Sequence, residues 1–398
     1  MNKGALASLR VIDISTVVAG GMASSMFADH GAEVLKIENP RAGDPARGLE
    51  PQKDGVSLWH KVAGRNKKSL SLNLSKPKGA DILLRLVVDA DILIENFRPG
   101  TLERWGLSPE TLLGINPALV IVRISGYGQS GPYSARPGFG TAAEAMTGLP
   151  MRSGFPEDPP ALCPMPLADN LAGMFAAFSA MFGIFNRDHG TGAGQVVDIS
   201  LYEPLFRIIE DQVIKFDQLG SMPQRMGNRM PGSAPRGSFR TKDGRWIALS
   251  SASDAPAQRL LNSIGGPALA ADTRFLRNAD RLKNVEMLEK IIADWISERT
   301  QAEALAIFER DEVSASALLD ISQIFDDPHI QHRNNIVTVE DPELGDVRVP
   351  GIVPKFTGTP GNVKHLSVAI GAHNDEIYGG RLGISAEELS ALASDGVI

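Results

Sequence analysis

One cysteine in 398 residues, Cys163, excludes an intrachain disulfide and points to a reducing, cytoplasmic setting. No histidine lies within 25 residues of it in sequence, so it reads as an inert buried thiol rather than a nucleophile. No stretch nears the ~18 uncharged apolar residues of a membrane-crossing helix, and "MNKGALASLR" is too weak for a secretory signal. Positive charge is the minority sign, 40 Lys and Arg against 47 Asp and Glu. A net charge of −7 with no clustered basic face argues against nucleic acid as a partner. The dinucleotide fingerprint is missing where it belongs, since "VIDIS" runs into "TVVAGGMASS", and G-x-x-x-x-G-K-[ST] does not occur. Neither NAD nor ATP is therefore expected. G-x-S-x-G is absent, and the seven histidines fall in no metal-binding spacing. His329 and His332, beside Asp326 and Asp327, read as a solvated loop, so no metal is expected.

What is present is core-forming material. Hydrophobic residues make up 43% of the chain and charged residues 22%, enough for two or three domains. "LRVIDIS", "EVLKIENP", "SLSLNL", "DILIENF" and "LVIVRISGYG" read as strands, and "GGMASSMFADHGA", "PKGADILLRLVVDA" and "SPETLLGINP" between them as helices. That alternation predicts a parallel α/β sheet. A helix over 164–187 and the strand–helix unit "GQVVDISLYEPLF" follow. After about residue 220 the chain turns rich in Gly, Pro, Met and Arg, then gives the strand "RWIALSS" and two helices, "APAQRLLNSIG" and "NVEMLEKIIADWISERT". These predict a smaller α+β domain. "IVTVED" and "DVRVPGIVPKF" read as strands and "SAEELSALASDG" as a last helix.

The carboxylate in "PMPLADNLAG" stands apart from the rest. From Leu171 to Asn186 no charged residue occurs. Leu171, Met174, Phe175, Phe178, Met181, Phe182 and Phe185 form one apolar face, and Ala172, Gly173, Ala176, Ala177, Ala180 and Gly183 the other. The helix is expected to be buried on both. Asp169 at its start is either an N-cap or a working group kept ionised by free N–H groups and the helix dipole.

Motifs along nearly the whole chain resemble the class III CoA-transferases, the group of formyl-CoA and carnitine CoA-transferases and 2-methylacyl-CoA racemases. They include "LRVIDISTVVAGGMASSMFADHGAEVLKIENP", "GDPAR", "NKKSLSLNL", "ADILIENFRPGTLERWGL", "INPALVIVRISGYGQSGP", "LADNLAGMFAAFSAMFGIF", "GTGAGQVVDISLYE" and "GAHNDEIYGG". The resemblance implies a Rossmann-like large domain from both ends of the chain (1–200 and 330–398). A small domain (226–320) and linkers near 200–225 and 320–330 complete it, in an interlocked homodimer. It implies CoA, as an acyl-CoA substrate, and a small carboxylic acid as partners. It places the nucleophile on Asp169, which would form an aspartyl anhydride and then an aspartyl-CoA thioester. The CoA groove falls on Val17, Val18, Leu72, Asn73, Leu74, Ser75, Asn96, Phe97, Arg98 and Arg104, the two arginines suiting CoA phosphates. Arg47 meets a substrate carboxylate or pairs with Asp44.

Departures from the pattern narrow the chemistry. Phe139, before Gly140, stands where the racemases carry a histidine base, which disfavours the alternative of a CoA-thioester racemase. Val18 replaces a glutamine and "PGSAPRG" a longer glycine run, which disfavours oxalate. Arg236 in that loop suggests an acid with a second carboxylate, with succinyl-CoA as donor. A third reading is a CoA-binding subunit active only beside a paralogous chain.

Overall fold

Short runs of β-branched and aliphatic residues build one sheet in this computed structural model, which describes residues 4–398. Its strands are β1 (Arg10–Asp13), β2 (Glu33–Glu38), β3 (Lys68–Ser71), β4 (Ile92–Glu95), β5 (Val120–Ser125) and β6 (Val196–Ser200). Every pairing is parallel, with Ile12 opposite Leu35 and Leu93, and Val122 opposite Val197. The spatial order is β3-β2-β1-β4-β5-β6, that of the doubly wound dinucleotide-binding fold.

Successive side chains of a strand face opposite sides. Ile12, Leu35, Leu93 and Ile121 therefore join one core with the helix α2 (Pro77–Val87). Val11, Val34, Ile92, Val120 and Val122 join the other with α1 (Ala19–Asp29) and α4 (Leu167–Asn186). Most of these side chains are fully buried, each stabilising the fold by about 1.5–3 kcal/mol. The helix α3 (Gly140–Met146) lies between β5 and α4 in sequence.

α4 seats its small face inward. Ala168, Ala172, Ala176 and Ala180 are buried, and Gly173 permits close approach to α1, since a Cβ there would stand 2.7 Å from Met22 Cβ. The large face is not buried, contrary to the sequence expectation: Phe178, Phe182 and Phe185 are 57%, 59% and 67% exposed. The segment Leu167–Thr191 is also long and apolar enough, by length and composition, to cross a bilayer, which the sequence reading did not anticipate. Its small face packs on the sheet instead.

Two compact units divide the chain. The first runs through Leu149 and continues over Leu162–Gln218 and Asn334–Ile398. It holds the six-stranded sheet. The second comprises Pro150–Ala161 and Leu219–Arg333. Its antiparallel strands β7 (Arg236–Arg240), β8 (Trp246–Ser250) and β9 (Ala315–Ala317) carry the helices α5 (Asp254–Ala270), α6 (Val285–Ser297) and α7 (Gln301–Arg310). Phe239, Ile247, Leu260, Leu288, Ile292 and Phe308 form its core. A capping box opens α7: Thr300 Oγ1 accepts the Glu303 N–H while the Glu303 carboxylate accepts the Thr300 N–H.

The C-terminal part returns to the first unit with the hairpin β10 (Ile336–Asp341) and β11 (Gly345–Pro350), then α8 (Ala386–Ser394). Tyr378, fully buried, donates its hydroxyl to the Ser71 carbonyl at 3.1 Å and so ties this part to β3. Within the stretches 200–225 and 320–330 the chain forms the short helices Glu203–Ile208, Asp211–Leu219 and Ile321–Asp326.

Candidate active site

In a doubly wound sheet the order reverses between two neighbouring strands, and ligands sit in the crevice beyond their carboxyl ends. Here those strands are β1 and β4. Val17 and Val18 follow β1, and Asn96, Phe97 and Arg98 follow β4. Leu72, Asn73, Leu74 and Ser75 follow β3 in the same way. The topology brings three of the sequence-derived CoA segments to one edge of the sheet.

Asp169 is the third residue of α4, and Pro166 holds the cap position, with no side-chain cap bond. The N-cap reading is therefore corrected: the carboxylate lies inside the first turn and leaves the cap empty. It lines a cavity of about 390 Å³ together with Val17, Val18, Phe139 and Gly140. Burial pushes its pKa up to about 6, and a hydrogen bond with its own backbone N–H opposes that only in part. Its own backbone N–H favours the ionised form, as expected from its place at the helix start, but burial is the larger effect. No ion pair with Asp169 occurs among the described residues.

The turn before α1 is under strain. Val17 has φ of 63°, a left-handed conformation that a β-branched residue adopts at a cost of about 1–3 kcal/mol. Side chains from two sides hold it there. Asn96 accepts the Thr16 N–H at 2.8 Å and donates to the Thr16 carbonyl at 2.7 Å. Asp44 accepts the Val17 N–H at 3.0 Å. Asp44 is itself fixed by Lys36 at 3.1 Å, and Lys36 also donates to the Ser15 carbonyl. Burial raises the Asp44 pKa, but the Lys36 charge and the N–H groups of Ala46 and Val17 outweigh it and hold the carboxyl below its ordinary value.

The remaining predicted residues divide. Arg98 and Arg104 are both exposed. Arg104 donates to Thr101 Oγ1 at 2.9 Å, and neither guanidinium has an ion-pair partner among the described residues. Phe97 packs edge-on against Trp105, ring centres 5.0 Å apart. Asn73 accepts the Ser75 N–H and hydroxyl, a local turn, while Leu72 and Leu74 are core residues. Asn96 is occupied with the Thr16 backbone. Arg47 forms a two-pronged bond to Glu38, both contacts at 2.7 Å. It therefore pairs with Glu38, while Asp44 pairs with Lys36. Phe139 is 76% exposed and lines the cavity; it offers no proton acceptor. Arg236 belongs to the second unit, where it donates to the Asn228 carbonyl at 2.9 Å beside a cavity of about 500 Å³.

Three residues at or beside the site were given no place in it by the sequence reading. Glu144, buried, lines the Asp169 cavity and accepts the Cys163 N–H at 2.7 Å. Cys163 lines it too and is half-buried, where a buried thiol was expected. Asp44 and Glu144 lie 125 and 25 residues from Asp169 in sequence, and no local spacing ties them to it.

A model of CoA-transferase family III matches residues 6–374. The chain belongs to this family. As a family III CoA-transferase it exchanges CoA between acyl-CoA thioesters and carboxylic acids. It is 38% identical over 395 residues to the succinyl-CoA–D-citramalate CoA-transferase of Chloroflexus aurantiacus, covering 99% of this chain and 98% of that one. It is 37% identical over 398 residues to the beta subunit of that organism's succinyl-CoA–L-malate CoA-transferase, again covering 99% and 98%. A crystal structure of a CAIB/BAIF family protein from Brucella suis superposes with a TM-score of 0.84 at 27% identity, covering 96% of this chain and 100% of that chain.

Proposed function

We propose that this CoA-transferase takes CoA from succinyl-CoA, delivers it to a second carboxylic acid, and uses Asp169 as the covalent carrier. The observation that carries the reading is the Asp169 carboxylate, desolvated and without an ion-pair partner among the described residues, on the wall of a cavity at the crevice end of the sheet. Its relatives that act on succinyl-CoA support the donor.

The steps balance without ATP. An Asp169 oxygen attacks the thioester carbonyl, the C–S bond breaks, and CoA leaves as thiolate, giving a mixed anhydride. The thiolate attacks the aspartyl carbonyl and expels the donor acid as a carboxylate, leaving CoA on Asp169. The acceptor carboxylate attacks that thioester, releases the thiolate again and forms a second anhydride. Thiolate attack on the acceptor's carbonyl yields the new acyl-CoA and frees Asp169. A poorly solvated carboxylate is the better nucleophile in the first step, because less water must be removed from it. Arg98 and Arg104 bind CoA phosphates. Asp169→Ala abolishes exchange, while a fully active alanine variant would overturn the reading.

The exposed Phe178, Phe182 and Phe185 face of α4 supports a homodimer, since so large an aromatic patch is rarely left to water. The large domain is read as residues 1–200 and 330–398, and the location as the cytoplasm. Phe182→Glu is expected to shift sedimentation from dimer to monomer. A second reading is assembly with a paralogous chain, supported by relatives that are alpha and beta subunits. Turnover by the purified single chain excludes it.

A further inference from the structure

Two carboxylates line the cavity, and the proposed chemistry uses one. We infer that the other, Glu144, determines specificity by accepting a hydrogen bond from a hydroxyl on the acyl chain, so that hydroxy acids are preferred over their unsubstituted counterparts. The inference rests on the reading of Asp169 as the nucleophile.

Glu144 is 3% exposed, yet it lines the cavity. One of its oxygens accepts the Cys163 N–H at 2.7 Å, and no other hydrogen bond reaches the carboxylate among the described residues. A carboxylate has about four acceptor sites, and a buried one is seldom left with so much capacity unused. The Cys163 bond also fixes the side chain in place, so the acceptor is held ready and needs no reordering when a ligand arrives.

Position then decides what it can meet. Gly140 and Glu144 are four residues apart on α3, on one face and about 6 Å apart along the axis. Gly140 abuts the Asp169 carboxylate. Glu144 therefore stands a few bonds from the carbonyl that Asp169 attacks, at the reach of a substituent on the second or third carbon. Val17, Val18, Leu162 and Met165 give the cavity hydrocarbon walls elsewhere. An acyl chain meets one strong acceptor there, and a hydroxyl is the group that answers it.

The test measures kcat/KM with succinyl-CoA as donor for glutarate and for each stereoisomer of 2- and 3-hydroxyglutarate. One hydroxylated acid is expected to exceed glutarate by about tenfold or more in the unaltered enzyme. Glu144→Ala brings the ratio to within about twofold of unity, and Glu144→Gln, whose amide can still bond a hydroxyl, keeps most of it. Because both acids are assayed on one preparation, the ratio is blind to any loss of folded enzyme. No preference in the unaltered enzyme, or an alanine variant that slows all acceptors equally, would overturn the inference. Failure of the Asp169 reading shows differently, as turnover by Asp169→Ala.

Discussion

The Asp169 carboxylate fills the space that any side chain at position 140 would need. A Cβ built on Gly140 would overlap Asp169 Oδ2 and stand 2.9 Å from the carboxyl carbon. Gly140 lies in a helix at ordinary dihedrals, so the glycine is required by the neighbouring acid and not by the backbone. Gly140→Ala is expected to push the nucleophile aside and lower kcat about a hundredfold, as displacements near 1 Å do. Its melting temperature stays within a few degrees, because alanine favours the helix by about 1 kcal/mol while crowding costs about as much. An alanine variant with normal kcat would show that the carboxylate need not sit there.

Burial holds the Asp169 pKa at about 6. The nucleophile is the ionised form, so kcat/KM rises with pH through a midpoint near 6 and is flat above it. Stability runs the other way. Between the unfolded value of 3.8 and about 6 the folded chain binds more protons than the unfolded one, so this group's contribution falls as pH rises across that window. Above pH 6 the ionised carboxylate costs on the order of 1–2 kcal/mol after solvent screening. Asp169→Asn removes that cost: it is inactive, melts higher than the unaltered enzyme at pH 7, and matches it near pH 4. Paired melting curves across pH 4–8 check this, and an asparagine variant less stable at pH 7 contradicts it.

Arginines at the site are expected to separate by what they touch. Arg98 and Arg104 are exposed and have no ion-pair partner among the described residues. Arg98→Ala and Arg104→Ala each raise KM for acyl-CoA about tenfold with kcat little changed, as loss of one charge-assisted phosphate contact does. Arg47 holds Glu38, whose side chain is only 1% exposed. Arg47→Ala leaves that carboxylate buried and unpaired and destabilises the fold by about 3 kcal/mol. Steady-state kinetics beside denaturant titration distinguish the two classes, and a pure KM effect at Arg47 would place it on a substrate.

Much of this was legible in the sequence, for identifiable reasons. The strands of the parallel sheet announce themselves because a strand covered on both faces reads as a continuous apolar run, as "VIVRIS" does. The helix from Leu167 to Asn186 was visible in its missing charge, but which face is buried was not: Ala172 and Gly173 allow a backbone to approach, whereas Phe178 and Phe182 are left exposed. Val17 gave no sign of its left-handed turn, because that conformation comes from Asp44 and Asn96, 27 and 79 residues away. Glu144 carries no motif. Only its place one turn beyond Gly140 gives it a role. The Thr300 and Glu303 capping box was present in "TQAE" and announces α7 once the spacing is noticed.

The most direct measurement is to incubate the full-length enzyme with succinyl-CoA, quench with borohydride, and map the reduced residue by peptide mass spectrometry. A thioester on Asp169 is reduced to an alcohol at position 169, in an amount that depends on acyl-CoA and is absent from Asp169→Ala. Reduction at another residue, or none in an enzyme that turns over under the same conditions, would contradict covalent transfer through Asp169.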